Sequence, residues 1–237
     1  HVIAQHEKLS SKNIILGNGS NEILELAARA FLNPGSSAVA SAHAFVVYKI
    51  VTQSSGATLI EVPTLNWGHN LVEFPEHVRD DTKVIFIANP NNPTGTYNSH
   101  QEVHSLLKNI PSSILVVLDC AYFEYVKKSD YVNPLALLNE FDNLLVTKSF
   151  SKIQGLASAR IGYGIAQPEL IEVLNRIRQP FNVNSFAQEL ACEAINDKEH
   201  IKKSIDLNLA EGTFLFTELT QLLSLIHISE PTIPSTI

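Results

Sequence analysis

The chain has 237 residues, of which 45% are hydrophobic, and a formal net charge of −7 at pH 7. This length allows one large domain or two small ones, each with a sizeable core. The acidic balance, without any run of lysine or arginine, argues against nucleic acid or an anionic membrane as the main partner. Cys120 and Cys192 have neither a disulfide pattern nor a metal-ligand spacing, so we expect no metal and a reducing, cytoplasmic location.

The beginning of the chain gives a further expectation. The residues from His1 to His6 lack the charged and apolar regions of a signal peptide, and no apolar run reaches the length of a membrane span. The chain contains no methionine, so we expect a piece of a longer protein.

The first strand is predicted at residues 12–16, and a glycine-rich turn and a helix at 23–31 follow it. Ser20 is the predicted cap of this helix, and the free amides at its start form a candidate phosphate cradle. The turn resembles half of a dinucleotide fingerprint. However, Glu22 stands where the third glycine belongs, and its carboxylate argues against a pyrophosphate.

The next predicted elements are a strand at 38–40, an apolar helix that opens at 43–48, and a strand at 58–62. Phe45 lies just beyond the end of the first of these strands. An aromatic side chain at that place can stack on a flat cofactor ring, although such residues more often belong to the core.

A continuous apolar run at 83–88 is typical of a parallel strand that is buried on both faces. It stops at the loop 89–95, in which two prolines and a glycine fix the path of the chain. The side-chain amide of Asn92 is therefore expected to be held rigidly beyond the strand end. The alternative is a tight turn whose asparagines have no chemical role.

A helix is predicted at 99–109, and the apolar strand at 114–118 leads directly into Asp119 and Tyr122. A carboxylate at the end of an apolar strand is costly unless it meets a cation or hydrogen-bond donors. The protonated nitrogen of a pyridine ring is such a partner. An Asp that caps the following segment is the alternative.

A strand at 143–146 is followed by Ser149, Ser151 and Lys152, with Arg160 eight residues further on. Hydroxyls and a guanidinium are the donors that hold a phosphate ester. We expect Lys152 to be buried, with a pKa that burial and a neighbouring cation lower, so that its neutral amine can form a Schiff base. Phosphate and aldehyde together indicate pyridoxal phosphate. Alternatively, the Ser-Lys pair is solvated surface.

The rest of the chain continues the alternation, with a strand at 161–166 and helices at 169–178, 186–196 and 199–225. Strands that alternate with helices predict an α/β fold, with a mostly parallel sheet and helices on both faces. Residues 223–237 leave the pattern and resemble translated sequencing adapter. We therefore expect a domain at 1–222 and a non-native tail at 223–237, the alternative being a flexible native tail.

Five motifs occur in an order that resembles the fold-type I pyridoxal-phosphate aminotransferases. The resemblance covers residues 10–220 and is greatest to the histidinol-phosphate aminotransferases, especially at 86–97 and 180–185. The motifs lie at residues 17–22, 45–48, 89–95, 119–122 and 149–152, the last together with Arg160.

The resemblance implies a role for each candidate residue. Lys152 forms the Schiff base with the cofactor and moves the proton, and Asp119 keeps the pyridine nitrogen protonated. The other cofactor contacts it implies are Asn92 and Tyr122 at the phenolic oxygen, Phe45 on the ring face, and Arg160, Ser149, Ser151 and the backbone of Ser20 and Asn21 at the phosphate.

The resemblance also implies a function: a homodimeric enzyme of histidine biosynthesis that converts L-histidinol phosphate and 2-oxoglutarate to imidazole acetol phosphate and L-glutamate. Cys120 stands where this family usually has Glu. We expect most of the small C-terminal domain and the N-terminal arm to be missing from the chain. The alternatives are an aromatic amino-acid transaminase, a threonine-phosphate decarboxylase, or an inactive cofactor-binding fragment. A cofactor-binding regulator is disfavoured because the chain shows no helix-turn-helix pattern.

Overall fold

The computed structural model describes residues 1–222. Among them, seven strands form the main sheet, in the order β1, β9, β8, β7, β6, β2, β3. Neighbouring strands are parallel except where β9 meets β1 and β8, so β9 runs against the others. The prediction of a mostly parallel sheet is confirmed. The strands are β1 Ile14–Gly17, β2 Ser37–Ser41, β3 Thr58–Val62, β6 Thr82–Ala88, β7 Leu115–Asp119, β8 Leu144–Ser149 and β9 Gly162–Ile165.

The helices cover both faces of this sheet, as the sequence predicts. Two short strands, β4 (Thr64–Leu65) and β5 (Gly68–His69), form a separate antiparallel hairpin. None of the helices in residues 1–222 is both long and apolar enough to cross a membrane. The helices are α1 Val2–Glu7, α2 Ser20–Phe31, α3 Val46–Ser54, α4 His100–Asn109, α5 Pro134–Leu137, α6 Pro168–Ile177, α7 Ser185–Ala194 and α8 Lys198–Gln221.

The sheet separates two hydrophobic cores, and β6 contributes to both. Its side chains alternate, so that Val84 and Phe86 pack with α2, α3 and α6 on one face, while Ile85 and Ile87 pack with α4, α5 and α7 on the other. All four side chains are fully buried. Burying a side chain of this size stabilises a fold by roughly 1.5–3 kcal/mol, which anchors the strand whose end leads to Asn92.

Helix starts in this fold are fixed by local hydrogen bonds. At α4 the Ser99 hydroxyl accepts from the amide of Glu102, and the Glu102 carboxylate accepts from the amide of Ser99, which is a complete capping box. The prediction of Ser20 as the cap of α2 is wrong. The helix begins at Ser20 itself, the preceding Gly19 is the N-cap, and no side chain caps this end.

Two other predicted elements differ from the structure in extent. The strand predicted to end at residue 146 continues to Ser149, because the backbone of Thr147 to Ser149 pairs with β9. The helix predicted at 199–225 is described as Lys198–Gln221, and none of the residues of α8 is buried. The predicted tail at 223–237 lies outside the described residues.

Candidate active site

The ends of three parallel neighbours, β6, β7 and β8, point the same way and carry seven of the ten candidate residues. The other three are Phe45, which follows β2, and Ser20 and Asn21 at the start of α2. Sheets of this kind bind ligands at the carboxyl edge of their strands. A cavity of about 250 Å³ opens there. It is lined by all ten residues that the sequence singled out: Ser20, Asn21, Phe45, Asn92, Asp119, Tyr122, Ser149, Ser151, Lys152 and Arg160.

Asp119 is the last residue of β7 and is 5% exposed. Its Oδ1 accepts from the Thr147 hydroxyl at 3.0 Å and from the Ala121 amide at 3.3 Å, and its Oδ2 accepts from the Tyr48 hydroxyl at 3.1 Å. Burial raises the pKa of Asp119, whereas these bonds and the charge of Lys152 lower it. The donors therefore offset part of the cost of a buried carboxylate.

Lys152 lies three residues beyond the end of β8, in a turn at the mouth of the cavity. Its Nζ is 5.1 Å from the centre of the Tyr122 ring, so the amine and that aromatic face share the same wall. The expectation of a buried amine is wrong, because Lys152 is exposed in this chain. The strand has already ended at Ser149, and α8 contacts the turn only beyond Lys152, where His200 Nε2 lies 3.0 Å from the Ile153 carbonyl oxygen.

The buried lysine of this segment is instead Lys148, which is 6% exposed. It is on β8 and its side chain points to the opposite face of the sheet from Thr147. Its Nζ lies 2.9 Å from Glu7 Oε1 and 4.0 Å from Glu124 Oε1. Lys148 therefore belongs to a buried ion pair, whereas Lys152 presents its amine at the cavity.

The two predicted phosphate cradles meet in the structure. Gly19, with a φ of 75°, brings the start of α2 so close to Arg160 that a Cβ at Gly19 would lie 3.1 Å from the guanidinium carbon. Arg160 itself has a φ of 57°, a backbone conformation that residues other than glycine seldom adopt. Its Nη1 donates to the Ala157 carbonyl at 2.8 Å and to the Ser151 hydroxyl at 3.4 Å.

Gly162 explains how β9 and the start of α2 can lie so close together. A Cβ at this glycine would lie 2.8 Å from the carbonyl carbon of Gly19 and 2.9 Å from the backbone oxygen of Lys148, which is closer than real Cβ atoms come. The absence of a side chain lets β9 and the start of α2 pack backbone to backbone. The amides at the start of a helix form an anion site, and Arg160 adds a fixed positive charge beside it.

The loop that carries Asn92 is fixed by its own amide side chains. Asn89 Nδ2 donates to the Asn98 carbonyl, and its Oδ1 accepts from the Asn98 amide, each at 2.9 Å. Asn91 Nδ2 donates to the His43 carbonyl at 2.7 Å. Asn89 and Asn91 are buried, whereas Asn92 lines the cavity. Asn89 and Asn91 therefore hold the loop, and the side chain of Asn92 is the one presented to the cavity.

Sequence reasoning missed Tyr48 and Thr147, the two hydroxyl donors to Asp119. Tyr48 looks like an ordinary core residue of an apolar helix, and only the fold brings it to a residue 71 positions away. Thr147 did leave a signal in the sequence, since it is a hydroxyl residue at the end of an apolar strand and can donate to an acid on a neighbouring strand. Its register opposite Asp119 requires knowledge of the strand order.

The donor set fits pyridoxal phosphate. The cavity offers an amine for the aldehyde, a buried carboxylate for the ring nitrogen, an aromatic ring, and an anion cradle made of amides, hydroxyls and a guanidinium. No second buried acid competes for the ring among the lining residues described, which makes Asp119 the natural partner of a protonated nitrogen.

Comparison with known proteins gives an independent view. The family model for aminotransferase class I and II matches residues 3–233. A histidinol-phosphate aminotransferase 2 of Pseudomonas fluorescens is 50% identical over 88% of this chain and 56% of its own length. One from Hydrogenovibrio crunogenus is 50% identical over 82% of this chain and 52% of its own length. The chain thus spans about half the length of the curated relatives it matches.

The fold agrees with a solved relative as well. The crystal structure of histidinol-phosphate aminotransferase from Sinorhizobium meliloti in complex with pyridoxal-5'-phosphate superposes with a TM-score of 0.86. It is 27% identical, and the match covers 92% of this chain and 59% of that one. Pyridoxal phosphate is the cofactor of this enzyme class. On the extent of the family match and the shared fold, the chain belongs to the class I and II aminotransferases.

Proposed function

We propose that the whole protein containing this chain is a pyridoxal-phosphate-dependent transaminase that converts L-histidinol phosphate and 2-oxoglutarate to imidazole acetol phosphate and L-glutamate. The observation that carries the proposal is the cavity, where an amine, a buried carboxylate and an anion cradle lie together at the ends of neighbouring strands. The choice of substrate is supported by the activity named for relatives that are 50% identical.

Two residues do the central chemistry in this proposal. Pyridoxal phosphate, when bound, supplies an aldehyde for amino-group exchange and a ring that accepts electrons. The Nζ of Lys152 would hold the aldehyde carbon of the resting cofactor. Once the substrate's amino group has replaced it at that carbon, the freed amine would act as the base that moves a proton at the carbon bearing this amino group. The carboxylate of Asp119 would hold a proton on the ring nitrogen, and the hydroxyls of Thr147 and Tyr48 that donate to it favour its ionised form.

The remaining residues that line the cavity hold the cofactor and orient it. The backbone of Ser20 and Asn21, the hydroxyls of Ser149 and Ser151, and the guanidinium of Arg160 bind the phosphate. Asn92 and Tyr122 would donate hydrogen bonds to the phenolic oxygen of the cofactor, and Phe45 would cover its ring face. Support for the phosphate assignment comes from the close approach of Arg160 to the start of α2.

The wider organisation also belongs to the proposal. Residues 1–222 constitute the cofactor-binding large domain, and residues 223–237 are a non-native tail. The whole protein is a homodimer in the cytoplasm. The length of the relatives, of which this chain spans about half, supports further domain structure in the whole protein.

Covalent trapping tests the assignment of Lys152. The purified chain is mixed with pyridoxal phosphate and reduced with borohydride, and the labelled peptide is mapped by mass spectrometry. The label is expected on Lys152 and absent from a Lys152→Arg variant, which keeps the charge but not the reactive amine. A label on a different lysine in the unmodified chain would overturn the assignment.

Donor profiling with the full-length protein tests the substrate. L-histidinol phosphate is expected to be used with a far higher kcat/KM than phenylalanine or tyrosine, and to yield L-glutamate from 2-oxoglutarate. Equal use of aromatic amino acids would instead indicate an aromatic transaminase. Release of carbon dioxide from threonine phosphate would indicate a decarboxylase.

A further inference from the structure

The carboxylate of Asp119 is bound from both sides before any ligand arrives. Thr147 and the Ala121 amide occupy Oδ1, and the Tyr48 hydroxyl alone is bonded to Oδ2 among the described residues. A carboxylate oxygen has room for two donors, so Oδ2 keeps one acceptor position while Tyr48 occupies the other. Together with the two donors at Oδ1, the Tyr48 bond restrains the rotation of the carboxyl group about its last side-chain torsion.

Tyr48 is itself held rigidly. Its ring is 1% exposed and stacks on Phe86, with 5.0 Å between centroids and 7° between planes. Phe45 meets the same ring edge-on at 5.8 Å. One turn later in α3, the Thr52 hydroxyl donates to the Tyr48 carbonyl at 2.7 Å, which fixes the backbone of that turn. The phenol therefore cannot follow Asp119 if the carboxyl group turns.

From this geometry we infer that Tyr48 is a positioning residue for the cofactor carboxylate: its hydroxyl orients Asp119 toward the cavity and favours the ionised carboxylate. The inference rests on the proposed function, in which Asp119 partners the ring nitrogen. Because Phe45 lines the cavity and also packs on Tyr48, the ring wall and the acid are positioned from the same turn of α3.

The charged and titratable groups around Asp119 are compatible with Tyr48 as a donor to its carboxylate. From the neighbouring elements, Lys152 favours the carboxylate by its charge, and Cys120, Tyr122 and Tyr131 are the other titratable groups near it. Burial, and then Asp119, raise the pKa of Tyr48 well above its ordinary value. Tyr48 therefore stays protonated and can only donate to Asp119.

The test compares Tyr48→Phe with Tyr163→Phe. Both variants keep the ring and lose a buried hydroxyl that donates to a carboxylate, but the partner of Tyr163 is Glu7, on the opposite face of the sheet from the cavity. The first readout uses the chain without cofactor. Carboxyl carbon NMR of labelled aspartate follows the titration of Asp119, which is assigned by the signal lost in Asp119→Asn.

Tyr48→Phe is expected to raise the pKa of Asp119 further, because a donor to the charged form is removed. Tyr163→Phe is expected to leave it unchanged. The second readout is the pyridoxal phosphate affinity measured by absorbance, expected to weaken roughly 10-fold in Tyr48→Phe alone, with a changed pH midpoint of the bound chromophore. An unchanged Asp119 titration in Tyr48→Phe would overturn the inference.

Failure of the proposed function and failure of the role of Tyr48 give different results. If the unmodified chain takes up no pyridoxal phosphate, the proposed function fails for this chain, while the NMR titration still decides the role of Tyr48 at Asp119. If Tyr48→Phe does not fold, 3-fluorotyrosine placed at position 48 keeps the packing and makes the phenol a stronger donor. It must then lower the pKa of Asp119, and a rise or no change refutes the inference.

Discussion

The buried ion pair of Lys148 and Glu7 gives a prediction whose magnitude can be worked from the structure. Lys148 Nζ lies 2.9 Å from Glu7 Oε1, which also accepts from the Tyr163 hydroxyl at 2.6 Å. The side chains of Lys148 and Glu7 are 7% and 5% exposed. Removing one member of a pair this deep leaves the other charge uncompensated, at a cost of roughly 3–5 kcal/mol.

The two ends of the pair are not equivalent. Lys148→Met leaves the buried Glu7 and the half-buried Glu124 without their cation, whereas Glu7→Gln leaves Lys148 with Glu124 at 4.0 Å. We therefore expect Lys148→Met to lower the free energy of unfolding by about 3–5 kcal/mol and Glu7→Gln by less. The double variant is expected to cost less than the sum of the two, because each single change strands the partner of the other.

Urea denaturation at pH 7, followed by circular dichroism, measures these differences. The matched control is Arg176→Gln, which removes an ion pair to Glu172 of the same 2.9 Å length whose side chains are about 70% exposed. That change is expected to cost less than about 0.5 kcal/mol. If Lys148→Met costs no more than Arg176→Gln, the reasoning that burial makes this pair matter is wrong.

The pH dependence provides a second check. Burial raises the pKa of Glu124, and Lys148 is the first group that opposes this rise. Without Lys148 the folded-state pKa rises further above its unfolded value, so the folded protein binds the proton more tightly. Stability associated with Glu124 is then present below the unfolded pKa and lost as pH rises, so the cost of Lys148→Met should be smaller at pH 5 than at pH 7.

Four other substitutions follow from the structure, one of them as a control. Burial lowers the pKa of His69 to about 4. The stability that the neutral ring contributes is therefore complete above the unfolded pKa of about 6.5 and falls by roughly 3 kcal/mol as the pH drops to 4. In His69→Gln, the urea midpoint should change less across that pH range. Gly162→Ala should cost about 1–3 kcal/mol and weaken phosphate binding, measured by calorimetry, whereas Gly212→Ala, with nothing within 4 Å, should stabilise its helix. Ser99→Ala removes the hydroxyl that accepts from the Glu102 amide at the start of α4, and it should lower the free energy of unfolding by about 1 kcal/mol.

The fold was predictable where the signal is local and strong. The apolar run at 83–88 predicted a doubly buried strand because every one of its side chains is apolar after the first, and β6 is buried on both faces. The reversed direction of β9 was not predicted. Its residues carry the same small and apolar side chains whichever way the strand runs, so the direction is set by the path of the chain and not by composition.

The site was predictable as a set of residues and not as a set of bonds. Motifs identified all ten of the predicted residues that line the cavity, since each lies in a short stretch with a recognisable chemistry. Burial was assigned to the wrong lysine of 147–152, because the partner that allows Lys148 to be buried lies 141 positions away in α1. The bond from Tyr48 to Asp119 also depends on such a distant partner. Sequence patterns alone carry no information about either distance.

The alternation of side chains along β8 has a consequence for how this sequence can change in length. Thr147 contacts Asp119 on one face and Lys148 contacts Glu7 on the other, so neighbouring residues serve separate structures. Inserting or deleting one residue within β8 would exchange the two faces. A cation would then be placed against Asp119 and a hydroxyl against Glu7, so that a single event would break both hydrogen bonds. Length variation in descendants of this sequence should therefore be confined to the turn before Leu144.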